Sequence, residues 1–407
     1  MSRLIDNNLN REVEDPRSTT KSWSGFGFSL FNKSQSKKTS ILAVDIGTAS
    51  ISAAISERGQ NGKADILKIL RYPVRLVGPA VPQHKGGEQM MASFLASFKK
   101  LFAEAHKVKR RLDKIIISFA DPFFVEKKLT KKISRKNAKD PVSHEEIKNL
   151  IFQMEKEACE GNPELVVGGR EIVLMKVNGY PVENPVEYKG SSIEISAVFT
   201  LVSKYLKDYI EQAKENVFSY VEISYYSDTR VLWHALKASD NLFEPALVID
   251  IGGEISSLFF VNFVGTIEHY AAMPFGIRTL ERRIATFSKI SFDDAEAILK
   301  KFTIETLDPV LRMKIAKILD VASRDWWMLF KDTMKEERIP KKILLTGGGA
   351  GFSIFIETIK LNFKRYYDME VDLQVMKAEA FRDFLNPQDA ISGGGDVTLA
   401  ALTLYAE

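Results

Sequence analysis

The chain has 407 residues, of which 45% are hydrophobic, and a formal net charge of +4. This composition predicts a globular protein with two or more packed domains. The small net charge gives no electrostatic reason to expect nucleic acid as a partner. The single cysteine, Cys159, excludes an internal disulfide framework and fits a reducing cytosol. The opening MSRLIDNNLNREVEDP is too polar for a secretion signal and no run of about eighteen apolar residues follows, so we expect a cytoplasmic protein.

Residues 1–39 differ in composition from the rest of the chain. Asn, Asp, Glu, Ser and Thr dominate up to Lys21, which predicts a mobile tail. Within residues 21–38, four apolar side chains recur at helical spacing and are flanked by lysines: Trp23, Phe26, Leu30 and Phe31. Two interpretations stay open, a disordered tail with scattered aromatics and a segment that docks on a membrane or a partner.

Alternating strands and helices begin at Ser40. Residues 41–72 have the pattern of strand hairpins, followed by a helix over MMASFLASFKKLFAEAHKVKRR and by the β-rich DKIIISFADPFFVEKKLTKKIS. Such alternation predicts an α/β fold of layered sheets and helices. The basic run from Glu126 to Lys139 fits a solvated hairpin better than a phosphate or lipid site, and it lacks the aromatics of a nucleic-acid platform.

The segment PVSHEEIKNLIFQMEKEACE predicts a helix with a clear start. Ser143 stands three residues before Glu146, which is the spacing of a capping box. REIVLMKVNGYPVENPVEYKGSSIEISAVFTLVS then predicts strand, turn and strand, because proline and glycine separate two β-rich runs. A further helix is predicted over SKYLKDYIEQAKENVF.

One short pattern occurs twice, as AVDIGTASISA from Ala43 and as VIDIGGEISSL from Val248. Each copy has an apolar β-favouring run, one aspartate, then glycine and small polar residues before another apolar run, which predicts strand, tight turn and strand. Gly47, Gly252 and Gly253 allow successive N–H groups to converge on an anion. An aspartate beside such a turn suits a hydrated Mg2+ that bridges phosphates.

A third glycine-rich piece lies in KKILLTGGGAGFSIFIETIK, from Lys341 to Lys360. A buried-type strand leads into Gly347–Gly349, and an amphipathic helix follows. Glycine lets a flat ring or a ribose approach the backbone, and the helix N-terminus favours phosphate. The piece is neither a Walker loop nor a dinucleotide fingerprint, because the required Lys and glycine spacing are missing.

In this order, the three pieces resemble the actin-like ATPases, where two phosphate-binding hairpins on two pseudo-repeated domains precede an adenosine-binding glycine turn. The chain looks most like the branch of the bacterial cell-division protein FtsA and the pilus-assembly protein PilM, over nearly all of residues 40–407. KVNGYPVENPVEYKGSSIEISAVFTLVS resembles the inserted subdomain of this branch, called SHS2 or 1C. MPFGIRTLERRIATFSKISFDDAEAILKKF and SGGGDVTLAALTLYA resemble its adenine-facing region and its last helix.

The resemblance implies an α/β, actin-like (ribonuclease H-like) two-lobed ATPase fold with an inserted α+β subdomain of the SHS2 type. The implied units are the tail 1–39, lobe 1 over 40–112 and 206–244, the inserted subdomain over 113–205, and lobe 2 over 245–407.

The resemblance also implies ATP and Mg2+ as ligands, with Asp45 and Asp250 on the metal. The implied nucleotide-binding residues are Asp45, Gly47 and Thr48 in the first hairpin, Asp250, Gly252 and Gly253 in the second, Gly347, Gly348 and Gly349 in the adenosine turn, and Glu296 and Lys300 beside adenine.

Two departures from the family pattern predict slow hydrolysis. The family usually continues its second hairpin as Gly-Gly-Gly-Thr-Thr-Asp, whereas this chain has Gly-Glu-Ile-Ser-Ser from Gly253 to Ser257. A carboxylate at Glu254 would repel phosphates unless Mg2+ or an outward rotamer intervenes. The water-orienting Gln or Glu expected before this hairpin is missing, and only Asp228 and Thr229 stand there. Hydrolysis needs an in-line water held by such a group, so we expect at most a slow ATPase with no assigned catalytic residue.

The expected function is an FtsA-type scaffold or switch in bacterial cell division that links a filament or membrane assembly to partner proteins. The alternatives are a PilM-like cytoplasmic component of type IV pilus assembly and a nucleotide-free interaction module of the same fold. A sugar kinase would need a catalytic aspartate and an acceptor pocket, and an Hsp70-type chaperone a large substrate domain. Expected contacts are division or pilus proteins through residues 113–205, self-association, and the inner face of the cell membrane through residues 21–38; nucleic acid is not expected.

Overall fold

A computed structural model describes residues 38–58, 62–74, 83–238, 244–262, 266–335 and 339–404. The predicted tail, with its candidate membrane segment 21–38, lies outside these residues apart from Lys38 and Thr39. In the part of the chain that the structure describes, no helix is long and apolar enough to cross a membrane.

The strands follow one another in chain order with these bounds: β1 Thr39–Ile46, β2 Ser50–Arg58, β3 Ala64–Pro73, β4 Lys114–Phe119, β5 Phe124–Ser134, β6 Leu165–Val177, β7 Tyr180–Pro181, β8 Ser192–Ser203, β9 Ile223–Ser227, β10 Ala246–Ile251, β11 Ser256–Val261, β12 Ile267–Met273, β13 Lys342–Thr346, β14 Asp372–Val375 and β15 Leu385–Asn386.

The α-helices have these bounds: α1 Gln83–Val108, α2 His144–Cys159, α3 Lys204–Phe218, α4 Asp228–Ala238, α5 Ile277–Ser288, α6 Phe292–Thr303, α7 Pro309–Met334, α8 Ser353–Tyr367 and α9 Val397–Leu404.

Two of the three sheets are built on the same plan. One has the order β15-β3-β2-β1-β4-β9 and the other β12-β11-β10-β13-β14. In each, a three-stranded antiparallel meander continues through two parallel strands, so β1 corresponds to β10 and β4 to β13. The predicted internal repeat is therefore a repeat of whole sheets, with each Asp-Ile-Gly motif at the end of the central strand.

Two apolar helices lie between the repeated sheets. Side chains of α4 and α9, such as Leu236 and Leu402, share a buried cluster with Ala43 of β1 and Val248 of β10. The outer face of the first sheet is covered by α1 and α3, and that of the second by α5, α7 and α8. Because both faces of each sheet are covered, β1 and β10 are apolar runs rather than alternating ones.

The third sheet is smaller and has the order β5-β8-β6-β7. Helix α2 covers one face, where Leu150 and Met154 pack against Ile195 and Phe199. The predicted capping box is confirmed, since the Ser143 side chain accepts from the backbone N–H of Glu146 and the Glu146 side chain accepts from the backbone N–H of Ser143.

The predicted unit boundaries and the sheets differ in two places. Strand β4 falls in the predicted insertion 113–205, yet it pairs with β1 in the first sheet, and the third sheet begins only at β5. Strand β15 falls in predicted lobe 2, yet it pairs with β3. The chain therefore returns to the first sheet near its end, and the division into units stays a prediction.

Candidate functional site

The first Asp-Ile-Gly hairpin forms a tight turn at the carboxyl end of β1. Gly47 N–H donates to the Ser50 carbonyl oxygen at 3.0 Å, which closes the turn. Asp45 lies opposite Ser52 of β2, and Ser118 of β4 donates from Oγ to Asp45 Oδ1 at 2.9 Å. The aspartate is therefore held at the base of the turn by its neighbouring parallel strand.

The second hairpin repeats this geometry. Gly252 N–H donates to the Ile255 carbonyl oxygen at 2.9 Å, and Asp250 lies opposite Ser257 of β11. Asp250 is only 8% exposed, and no hydrogen-bond partner for its Oδ1 is found among the described residues. The second aspartate thus differs from the first in having one buried acceptor atom unsatisfied.

The glycine turn after β13 packs directly on the second hairpin. Gly349 N–H donates to the Ile251 carbonyl oxygen at 2.9 Å. Gly347 has a φ of 87°, and a Cβ at this position would collide with Asp250 Oδ1, so both the backbone conformation and the space require glycine. Gly347 and Gly349 of this predicted adenosine turn are therefore held against the second hairpin, at Asp250 and Ile251.

These three turns line one cleft of about 130 Å3 between the repeated sheets. The lining includes these predicted residues: Asp45, Gly47, Thr48, Asp250, Gly252, Gly253, Gly347 and Gly348. Among the lining residues that were not predicted as binding residues are Asp121, Asp228, Gly395 and Thr398. Gly349 lies behind the turn, where a Cβ would collide with the Ile251 side chain.

Burial and mutual repulsion raise the pKa values of the acids in this cleft. Burial raises the pKa of Asp250 from 3.8 to about 7, with a further contribution from the negative charges of Asp45 and Asp121. Burial also raises the pKa of Asp45 to about 7, with Asp396 adding to it and the Ser118 hydrogen bond opposing it. Burial, and then the charges of Asp250, Asp121 and Asp45, hold the pKa of Asp228 well above its ordinary range. The cleft therefore favours binding of a cation.

Asp121 and Asp228 are both held by neighbouring groups. Asp121 follows β4 and accepts from Ser257 Oγ at 2.5 Å and from the Tyr270 hydroxyl, which joins the first sheet to the second. Asp228 starts α4, and its Oδ1 accepts from the backbone N–H of Thr229 at 2.6 Å. Asp228 was singled out in the sequence, whereas Asp121 was not. The signal that could have identified Asp121 is its position directly after a strand that runs parallel to β1.

Glu254, which was expected to repel phosphates, is neutralised in the structure. Arg282 of α5 donates to it from both terminal nitrogens, at 2.9 and 2.5 Å. Such a bidentate pair fixes the carboxylate and offsets its charge. The glutamate that stands where the family has glycine in the second hairpin is thus paired with an arginine of α5.

The predicted adenine-flanking pair lies on α6 outside the set of cleft-lining residues. Lys300 Nζ donates to Glu296 Oε1 at 2.6 Å, and Arg278 of α5 lies 3.7 Å from the other Glu296 oxygen. Lys300 has an exposed side chain, whereas that of Glu296 is partly covered. The structure therefore pairs these residues with each other, and their role towards adenine stays a prediction.

No protein-family model matches the chain, and no curated protein sequence matches it. Among solved structures, the chain is similar to the "PilM-PilN type IV pilus biogenesis complex", with 12% identity, a TM-score of 0.54, and coverage of 90% of this chain and 98% of the other. It also matches the ethanolamine utilization protein EutJ from Carboxydothermus hydrogenoformans, with 15% identity, a TM-score of 0.47 and coverage of 92% of each chain.

A third similar structure is MreB5 of Spiroplasma citri bound to AMPPNP, with 11% identity, a TM-score of 0.45, and coverage of 91% of this chain and 97% of the other. The likeness to PilM is a likeness of fold. The expected fold class is confirmed: the chain has the two-lobed α/β fold of the actin-like ATPases.

Proposed function

We propose that this chain is an ATP-binding, actin-like switch that acts as a scaffold for partner proteins. The observation that carries the proposal is the convergence of two equivalent hairpins and one glycine turn on a single cleft. Each hairpin offers a turn closed by a glycine N–H and an aspartate at its base. Turns of this kind bind phosphate through backbone N–H groups.

The residues of the cleft fit a magnesium ion that arrives with the phosphates. Asp45 and Asp250 would hold it, because their pKa values are raised to about 7 and Asp250 Oδ1 has no partner among the described residues. A bound divalent cation would neutralise phosphate charge and favour the ionised aspartates. In the described chain no three His, Cys, Asp or Glu side chains form a ready metal site. That agrees with Mg2+, which keeps several waters and shares phosphates with one or two carboxylates.

The size of the cleft supports a switch rather than a fixed pocket. Ligand pockets usually measure about 300–1,000 Å3, whereas this cleft encloses about 130 Å3. ATP therefore requires the two lobes to move apart. Binding energy that opens the cleft is available to change the surfaces that the lobes present to partners.

Slow turnover is part of the proposal. Asp228, at the position where the family has a water-orienting Gln or Glu, accepts from Thr229 within its own helix turn. Because its Oδ1 is already engaged by the Thr229 N–H and hydroxyl, it is poorly placed to hold an in-line water. A switch that binds ATP and hydrolyses it rarely would keep its bound conformation for long periods.

The proposed biological role is supported by a sequence resemblance and by a likeness of fold. The FtsA-type role in cell division rests on the sequence resemblance, while the PilM-type role in type IV pilus assembly also draws on the likeness to PilM, which was solved as a complex with PilN. Either role places the protein in the cytoplasm at the inner face of the membrane, with self-association through the lobes and partner binding through residues 113–205. The turn from Asn178 to Val186, which contains the 75% exposed Tyr180, is the predicted partner-facing turn. A nucleotide-free module of the same fold is the second alternative.

Titration of a fluorescent ATP analogue with and without Mg2+ tests the central claim. Asp45→Ala and Asp250→Ala should each weaken binding, whereas Asp332→Ala, on the exposed end of α7, should leave it unchanged. If both cleft substitutions stay within about twofold of the wild type, or roughly 0.4 kcal/mol, the paired-hairpin argument fails. A wild-type protein that binds no analogue would favour the nucleotide-free module.

A further inference from the structure

Strand β5 is a long edge strand with a strongly basic sequence. It runs from Phe124 to Ser134 and, in the part of the chain described, borders only β8. Its other side therefore presents a row of backbone N–H and C=O groups. Such an edge can pair with an added strand.

A groove lies beside this edge, on the side of the sheet that carries α2. It is shallow and largely open to solvent, and its lining is mostly charged: Lys131, Lys156, Glu157, Cys159 and Glu160. The groove is thus bounded by a strand edge and by the last turn of a helix, and a strand added to β5 would place every second side chain beside it.

The wall of the groove is fixed by lysines that reach from β5 to the end of α2. Lys127 Nζ donates to the carbonyl oxygens of Glu157 and Ala158, at 3.1 and 3.3 Å. Lys131 Nζ donates to the Glu157 carboxylate at 2.9 Å. Cations at a helix C-terminus satisfy its free carbonyls and are stabilised by the helix dipole. These two lysines are therefore structural.

Two other lysines of β5, Lys128 and Lys132, project from the face that points away from α2. Lys128 lies opposite Val198, and Lys132 lies opposite Glu194, so both share the face away from α2. Both are exposed, and no carboxylate lies within ion-pair distance of Lys128 among the described residues. Four residues of strand separate them by about 13 Å. The edge thus carries two positive charges on one face, in register with an added strand.

We propose that the β5 edge binds an extended acidic segment of a partner protein by strand addition. The backbone of the segment would pair with β5, its Asp or Glu side chains would lie beside Lys128 and Lys132, and the alternate side chains would lie over the groove. A second copy of β5 is a poor occupant, because like charges opposite each other destabilise a strand pair. The inference rests on the proposed scaffold role and names its partner chemistry, but it does not depend on nucleotide.

The test uses the full-length protein and a fluorescein-labelled peptide of alternating glutamate and valine, followed by anisotropy without nucleotide. The peptide should bind, and a version with alternate backbone amides methylated should lose binding because it cannot complete the strand pairing. Lys128→Glu combined with Lys132→Glu should weaken binding at least about tenfold. The matched control, Lys314→Glu with Lys317→Glu on α7, changes the same charge on exposed positions elsewhere and should leave binding unchanged.

Each outcome decides the proposal. Equal loss in the β5 variant and the α7 control would show a general charge effect, and equal binding of the methylated peptide would exclude strand addition; either result overturns it. Binding only after residues 1–37 are removed would make the protein's own N-terminal segment the occupant and would also overturn it. Binding of the ATP analogue, measured on the same β5 variant, should be unchanged, so a failure of the nucleotide proposal is seen separately.

Discussion

The backbone N–H of Glu254 donates to Thr48 Oγ1 at 2.9 Å, so the second hairpin is hydrogen-bonded to the first across the cleft. Gly253, the residue before it, is equally close: a Cβ there would lie 2.8 Å from both the Thr48 hydroxyl and the Ala49 Cβ. The turns of the two Asp-Ile-Gly hairpins therefore touch each other. This contact, with Asp121 bound to Ser257, accounts for the small volume of the cleft.

Gly253→Ala should disrupt this closed arrangement. The added methyl would overlap the first hairpin, and overpacking of this kind costs about 1–3 kcal/mol. We expect a lower thermal midpoint in the absence of nucleotide and a larger radius of gyration by X-ray scattering. Gly351→Ala is the matched control, because a Cβ at that position meets nothing within 4 Å. An unchanged midpoint and radius in Gly253→Ala would mean that the hairpins do not hold the lobes together.

The acids of the cleft should make the stability of the nucleotide-free protein depend on pH. The pKa of Asp250 is 3.8 ordinarily and about 7 in the folded protein. Between these values the unfolded chain has lost the proton that the folded protein still holds, so this group lowers the free energy of unfolding as pH rises. The stabilisation that the Asp250 carboxyl contributes is fully present below pH 3.8, and it is completely lost above about pH 7.

Asp250→Asn isolates that contribution, because asparagine stays neutral throughout. The variant should gain up to about 4 kcal/mol in free energy of unfolding relative to wild type as pH rises through the window. Urea unfolding at pH values below, within and above the window measures the difference. Asp332→Asn on α7 should show a constant difference. A flat difference for Asp250→Asn would contradict the raised pKa of this carboxyl.

The hairpins could be predicted from sequence because their signal is local. Each Asp-Ile-Gly motif combines an apolar run, one aspartate and glycine within a few residues, and the structure places Asp45 and Asp250 in the same register opposite Ser52 and Ser257. The repeated motif also indicated that the structure around it is repeated. Nucleotide binding by these residues stays a prediction.

Other parts of the cleft depend on contacts between distant segments. Asp121 meets Tyr270, 149 positions later, and Arg71 forms an ion pair with Asp396, 325 positions later. Neither pair has a local pattern that would reveal it, since each residue alone has the appearance of an ordinary turn or strand residue. The same holds for Arg282. Its partner Glu254 could be recognised in the sequence only as a carboxylate close to the predicted phosphate site.

Arg135 should be a main support of the small sheet. Its side chain is 4% exposed and donates to the carbonyl oxygens of Asp140, Pro141 and Gly190 and to the Glu146 carboxylate. Arg135→Ala would leave these acceptors without their donor, at a cost of about 2–4 kcal/mol. Hydrogen exchange should show loss of protection in β5, β8 and the start of α2.

The neighbouring Lys136 provides the control, because it is exposed and lies in the same loop. Lys136→Ala should change the free energy of unfolding by no more than about 0.5 kcal/mol. Equal protection from hydrogen exchange in the Arg135→Ala and Lys136→Ala variants would show that the sheet does not depend on the arginine.

The wild-type protein should turn over ATP at less than about 1 per second, below ordinary enzymes. The physical reason lies at Asp228, which lines the cleft but is only 2% exposed, and whose Oδ1 already accepts from the backbone N–H and the hydroxyl of Thr229. Burial, and then the charges of Asp250, Asp121 and Asp45, hold its pKa well above its ordinary range.

Asp228→Asn should therefore leave the hydrolysis rate within about twofold of wild type, whereas removal of a working general base usually costs about a hundredfold or more. The measurement is single-turnover hydrolysis of radiolabelled ATP with Mg2+, at saturating protein. Nucleotide affinity of the variant should stay equal or improve slightly, because one potential negative charge near the phosphates is gone. A large loss of rate with unchanged affinity would make Asp228 the water-positioning group and would contradict the account of slow turnover given by its burial.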